Sequence, residues 1–133
     1  MAICLDSSII IDFLKNKKEA VAAIQNYKEK DSLVTTEIST FEVFVGIYLK
    51  ETVNNEELNK VIEFFRSIEV LPFDELCGQE AARIYASLSK SGKIIEEADI
   101  FISAIMKKNG CLNIITRNKE HFLRISGIKV IDY

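Results

Sequence analysis

The sequence is poor in the residues that mark several common protein classes. One proline and five glycines among 133 residues argue against a collagen-like chain or a turn-rich β-sandwich, and for a compact, helix-rich one. A single histidine, His121, excludes a His-rich metal site and any catalytic constellation that needs two imidazoles. Cys4, Cys77 and Cys111 are odd in number and widely spaced, with no CxxC pair and no disulfide framework. They read as small buried hydrophobes in a reducing, cytoplasmic setting. No apolar run approaches the ~18 residues of a membrane span, and the opening Met1-Ala2-Ile3-Cys4-Leu5-Asp6 lacks the cationic region of a signal peptide. Nor is there an excess of positive charge. Seventeen Lys+Arg against 20 Asp+Glu give a formal net charge of −3, which excludes an all-over cationic nucleic-acid binder but not a local basic patch.

What remains is a balanced globular composition, 48% hydrophobic and 28% charged, of a length expected for one domain spanning 1–133. Residues 2–5 form a short apolar run that reads as a buried strand. Further strands are expected at 32–35, 70–71, 112–116 and 129–131. Between them, apolar residues recur at helical spacing over 7–16, 18–30, 39–50, 56–67, 74–89 and 96–108, with a short helix at 118–124. Asn109-Gly110 is a helix-stop signal. Short apolar strands alternating with helices imply an α/β fold. We expect a small three-layer α/β/α domain, with a central parallel sheet of four or five short strands and helices on both faces. Ligands of such sheets sit beyond the carboxyl ends of the strands. This directs attention to Asp6, Thr35, Thr36 and the segment 116–118.

Three acids stand in unexpected company. Asp6, Glu42 and Asp99 are each the lone charge in a stretch that would otherwise be buried: Ile3-Cys4-Leu5-Asp6-Ser7-Ser8-Ile9, Phe41-Glu42-Val43-Phe44 and Ala98-Asp99-Ile100-Phe101-Ile102. Burying an ionised carboxylate is costly unless a cation accompanies it, and none of these stretches carries Lys or Arg. A divalent metal is one way to hold such acids together. Simpler roles are open for each: a helix N-cap for Asp6, a Ser39-x-x-Glu42 capping box, and a favourable place in the helix dipole for Asp99.

The four segments LDSSIIIDFL, STFEVFVGI, ADIFISAI and ITRNKEHF, in this order, resemble the PIN-domain pattern, specifically that of VapC-type toxin ribonucleases of prokaryotic toxin–antitoxin pairs. The resemblance spans essentially the whole chain. It implies a metal-dependent endoribonuclease in which Asp6, Glu42 and Asp99 hold one or two Mg2+ or Mn2+ ions. Asn118 would complete the catalytic set, Ser8 and Thr116 would support it, and Glu96 could add charge. Many family members carry a fourth acid where we place Asn118, and an amide supplies no charge to a second metal. Two ions would leave the three acids with a net positive site for an RNA phosphate; one would leave it negative. Arg117 and Lys15 are candidate RNA contacts, with Lys17 and Lys18 nearby. The resemblance further implies a VapB-like antitoxin that places a basic side chain among the acids, and a homodimer. Phe41, Phe44, Tyr48, Phe64 and Phe65 are candidate core or interface aromatics. His121 reads as a surface helix residue. Competing readings are a catalytically silent PIN-fold interaction module, a receiver-like signalling domain (which would need adjacent acids after its first strand) and a DNA-directed structure-specific nuclease.

Overall fold

A computed structural model describes residues 1–133. Five strands, β1 (Ala2–Leu5), β2 (Ser32–Thr36), β3 (Glu69–Leu71), β4 (Asn113–Ile115) and β5 (Lys129–Ile131), are connected by seven helices. The helices are α1 (Ser7–Leu14), α2 (Lys18–Lys28), α3 (Glu37–Tyr48), α4 (Asn55–Arg66), α5 (Glu75–Lys90), α6 (Glu97–Lys108) and α7 (Lys119–Leu123). All neighbouring strands pair in parallel, in the order β3-β2-β1-β4-β5. The expected α/β architecture is therefore present, with five strands. The order reverses between β1 and β4, and in such doubly wound sheets the ligand crevice lies beyond the carboxyl ends at that reversal.

The period-two alternation of a strand puts successive side chains on opposite faces. Ile3 and Leu5 of β1 and Ile115 of β4 join a cluster with Ile9, Ile10, Ile24, Val43, Ile47 and Val61 from α1 to α4. The intervening Cys4 and Ile114 face the other side, among residues of α5, α6 and α7 such as Ile84, Ile102, Met106 and Phe122. All three cysteines are free and buried. No helix is long and apolar enough to cross a membrane.

One boundary differs from expectation in a way that matters for the site. Helix α3 begins at Glu37, two residues before the predicted start at Ser39, because β2 runs on to Thr36 and the Thr36 hydroxyl accepts from the Ser39 amide at 3.2 Å. Thr36 is the cap, so the Ser39-x-x-Glu42 capping box does not form. Glu42 lies beyond the first turn, where its carboxylate is free for other partners. Among the candidate aromatics, Phe41 and Tyr48 are exposed. Phe44, Phe64 and Phe65 pack partly buried against the α1–α4 cluster, with centroids 5.8 Å apart for Phe44–Phe65 and 5.5 Å for Phe64–Phe65.

Candidate functional site

Asp6 follows β1 directly and is 1% exposed. It occupies the N-cap position of α1, but its side chain makes no capping hydrogen bond. Its Oδ2 instead accepts from the Thr116 hydroxyl at 2.6 Å and the Ser8 hydroxyl at 3.3 Å. Its Oδ1 is buried with no hydrogen-bond partner. Buried polar atoms are rarely left so, and an orphaned carboxylate oxygen is the kind of atom a cation would engage. Thr116, just past β4, also accepts the Asn118 backbone amide at 2.9 Å, and Ser8 accepts that of Arg117 at 3.1 Å. The loop after β4 is thereby fastened to the start of α1, across the reversal in strand order.

Glu42 reaches this place from α3, where its Oε1 accepts from the Ser7 hydroxyl at 3.2 Å. Asp99, in the first turn of α6, is 2% exposed, and its Oδ2 stands 2.5 Å from Nδ1 of His121. The three acids thus come from three separate elements, near enough for their charges to act on one another. Burial, aided by the charges of Asp6, Asp99 and Glu96 and opposed by the Ser7 hydrogen bond, pushes the Glu42 carboxyl up to about 7. Asp99 is raised by burial, partly offset by His121, with Asp6 and Glu96 adding to the rise. Asp6 is raised by burial despite its hydroxyl donors. Burial is the main cause in each case, the carboxylate charges adding to it for Glu42 and Asp99, and none of the three is ion-paired to Lys or Arg. As the side chains stand, no three His, Cys, Asp or Glu groups converge tightly enough to hold one ion, because Glu42 turns to Ser7 and Asp99 to His121. The donor set still suits a hard divalent cation: oxygen ligands, surplus negative charge and one buried oxygen without a partner.

Glu96 is exposed at the N-cap of α6 without a side-chain cap; it acts on the cluster through charge alone. Asn118 is exposed at the N-cap of α7, and only its backbone amide is tied into the loop. Lys15 is exposed at the end of α1. Contrary to the expectation for His121, the side chain is not a solvated surface group. Phe122 beside it is fully buried and anchors α7, which turns the imidazole toward Asp99.

A second buried acid escaped the sequence reading. Asp12, on α1, is 3% exposed. Its Oδ2 accepts from the Tyr133 hydroxyl at 2.7 Å and lies 3.3 Å from Nη1 of Arg117, while its Oδ1 lies 3.2 Å from the Lys17 ammonium. Burial alone would raise this carboxyl, but Tyr133, Lys17 and Arg117 together hold it below the ordinary value. The same chemistry pushes the Tyr133 phenol up, chiefly by burial and then by the Asp12 charge. A depressed carboxyl favours the fold above the ordinary carboxylate range, and that contribution is lost as pH falls through the folded value. Tyr133→Phe removes one donor to a buried charge, which typically costs about 1.5–3 kcal/mol. Urea denaturation at pH 7 is expected to show a loss of that order, shrinking as the solution is acidified to about pH 3.

Comparison with known proteins places this geometry in context. The family model of the PIN domain matches residues 3–128. Ribonuclease VapC1 of Methanocaldococcus jannaschii is 30% identical, over 98% of this chain and 87% of its own length. Plasmid stability protein StbB of Pseudomonas syringae pv. tomato is 29% identical, over 98% and 96%. Among solved structures, VapBC2 from Rickettsia felis, bound to a DNA fragment from its promoter, superposes with a TM-score of 0.89 at 17% identity, covering 100% of this chain and 99% of that one. DNA-bound VapBC from Salmonella typhimurium gives 0.85 at 25% identity, covering 99% and 98%.

Proposed function

The chain belongs to the PIN-domain family, in its VapC group, and from that premise we propose that it is a divalent-metal-dependent endoribonuclease, the toxin of a VapBC-type toxin–antitoxin pair. The observation that carries this reading is the meeting of Asp6, Glu42 and Asp99, unpaired by any lysine or arginine, beyond the carboxyl ends of β1 and β4.

In this reading Asp6, Glu42 and Asp99 hold Mg2+ or Mn2+. The bound cation supplies an activated water and cover for the charge that develops on the phosphodiester. The chain's own residues prepare for that. Thr116 and Ser8 fix Oδ2 of Asp6 and leave Oδ1 without a partner. Ser7 restrains Glu42. The Asn118 side chain stands at the rim as a polar group, and Glu96 adds negative charge from outside. Arg117 keeps one guanidinium nitrogen on Asp12 and remains half exposed, beside the loop that fastens Asp6, where it can meet the RNA backbone; Lys15 lies at the end of the same helix as Ser7 and Ser8. An antitoxin of the VapB kind, offering a basic side chain to the acids, would neutralise the same charge that the cation does. The exposed Phe41 and Tyr48 of α3, with Leu49 just after it, offer apolar surface to it or to a second copy of the chain in a homodimer.

The test is incubation of the purified protein with tRNA and rRNA in Mg2+, in Mn2+ and in EDTA. Cleavage with either ion and none with EDTA supports the reading, whereas cleavage undiminished by EDTA refutes the metal step. Binding of a catalytically blocked variant to single-stranded RNA is expected to weaken with salt. Lys15→Ala should lower the slope of log K against log salt by about 0.7, the value for one lost phosphate contact on a single strand.

A further inference from the structure

The imidazole of His121 lies against Asp99, one of the three acids, and the role proposed above leaves it unused. It is the chain's only histidine. Its Nδ1 is 2.5 Å from Oδ2 of Asp99, and its side chain is 31% exposed against 3% for Asp99. The three acids differ in what holds them. Asp6 has two hydroxyl donors and Glu42 has one. For Asp99 the sole side-chain partner is this imidazole, which when neutral also carries a lone pair on its unprotonated ring nitrogen. The position is built by the fold, since the fully buried Phe122 fixes α7 and the Asn118 amide on Thr116 fixes the loop that leads into it.

We propose that His121 is a ligand of the metal site, an imidazole nitrogen set beside Asp99 that tilts the site from Mg2+ toward Mn2+ and the later first-row divalent ions. The inference rests on the metal-dependent reading above and adds to it the class of ion. Two ligand atoms at right angles on an ion with bonds of about 2.1 Å stand about 3.0 Å apart. The observed nitrogen–oxygen pair therefore needs to open by only about half an ångström for both atoms to serve one cation. Mg2+ favours oxygen donors and octahedral geometry and gains little from imidazole. Affinity for nitrogen-containing sites rises from Mn2+ along the first row. The imidazole is also uncharged when it ligates, so it adds a donor without adding to the repulsion among the acids.

The experiment compares the full-length protein with His121→Gln and His121→Asp at pH 8. Mn2+ and Mg2+ affinities are measured by calorimetry, and pulsed EPR of the Mn2+ complex reads coupling to a nitrogen nucleus. The wild-type protein is expected to show nitrogen coupling, which no other histidine can supply. His121→Gln should lose it and lower the preference for Mn2+ over Mg2+ roughly tenfold, the scale at which altered shells change metal affinity. His121→Asp should raise Mg2+ affinity relative to His121→Gln. An unchanged Mn2+/Mg2+ ratio and no nitrogen coupling in the wild type would overturn the proposal while leaving the metal site standing, with His121 only a hydrogen-bond partner of Asp99. No binding of either ion by the wild type would overturn both. Thermal melting of the variants shows that each is folded before it is compared.

Discussion

Asp99→Asn is expected to lower metal-stimulated RNA cleavage by at least about 10³-fold, on the order of 4 kcal/mol of transition-state stabilisation, while the protein stays folded. The substitution is nearly isosteric, and an amide oxygen can still accept from His121, so the local contact survives. What disappears is one of the three negative charges proposed to hold the cation, and a metal's contribution to phosphodiester hydrolysis amounts to several kcal/mol. Asp6→Asn and Glu42→Gln should act in the same direction. In the absence of metal, each of the three variants should melt at or above the wild-type temperature, because each removes a buried charge that repels its neighbours. A pairing of lost activity with retained or increased stability separates a functional acid from a structural one. An Asp99→Asn protein that cleaves RNA at the wild-type rate would show that the acids are not the site.

The second large effect concerns pH and metal together. The Glu42 carboxyl lies at about 7 in the folded protein against an ordinary value of 4.5, so between these limits the folded state holds a proton that the unfolded state has released. Stability of the metal-free protein therefore falls as pH rises through roughly 4.5 to 7 and levels off above. With allowance for the partial exposure of Glu42, the change is on the order of 2–3 kcal/mol. Asp6 and Asp99, both raised, act in the same sense. Asp12 acts in the opposite one, on the acid side, where its pairs with Tyr133, Lys17 and Arg117 are lost. The metal-free protein should thus be most stable in mildly acidic solution. Mn2+ at about a hundredfold above its Kd should add about 2.7 kcal/mol, which for a domain of this size is a rise of about 10 °C in melting temperature. Differential scanning fluorimetry across pH 4–8, with Mn2+ and with EDTA, reads both effects. A metal-free melting temperature that climbs from pH 5 to 7 would contradict the crowding of the acids.

Much of this arrangement is legible in the chain because the strands are short, apolar and followed at once by polar residues. Leu5-Asp6 and Ile115-Thr116 mark both strand ends that flank the crevice. The lone charge in an apolar run marks Asp6, Glu42 and Asp99, which lie near enough in the fold for their charges to act on one another. The same signal was present at Asp12, in Ile9-Ile10-Ile11-Asp12-Phe13, but its partners Arg117 and Tyr133 lie more than a hundred residues away, and no local spacing announces them. Ser39 and Glu42 match a capping box, yet Thr36 wins the cap because the β2 ladder to β3 extends to Thr36–Leu71. The sequence alone suggests a surface residue at His121 because α7 is one short turn with no periodicity to reveal which side faces inward. Only the packing of Phe122 and the approach of Asp99 from α6 decide its direction, and those are tertiary facts.

The claim on which the rest depends is that carboxylates from α1's entrance, α3 and α6 form one cation site. Calorimetric titration of the metal-free protein with Mn2+ at pH 7, in two buffers of different ionisation enthalpy, tests it most directly. One saturable binding event with release of a fraction of a proton, as the ion displaces the proton that Glu42 holds at this pH, and its loss in Asp6→Asn, is the predicted result. Absence of binding, or binding of equal strength in Asp6→Asn, Glu42→Gln and Asp99→Asn, would contradict it.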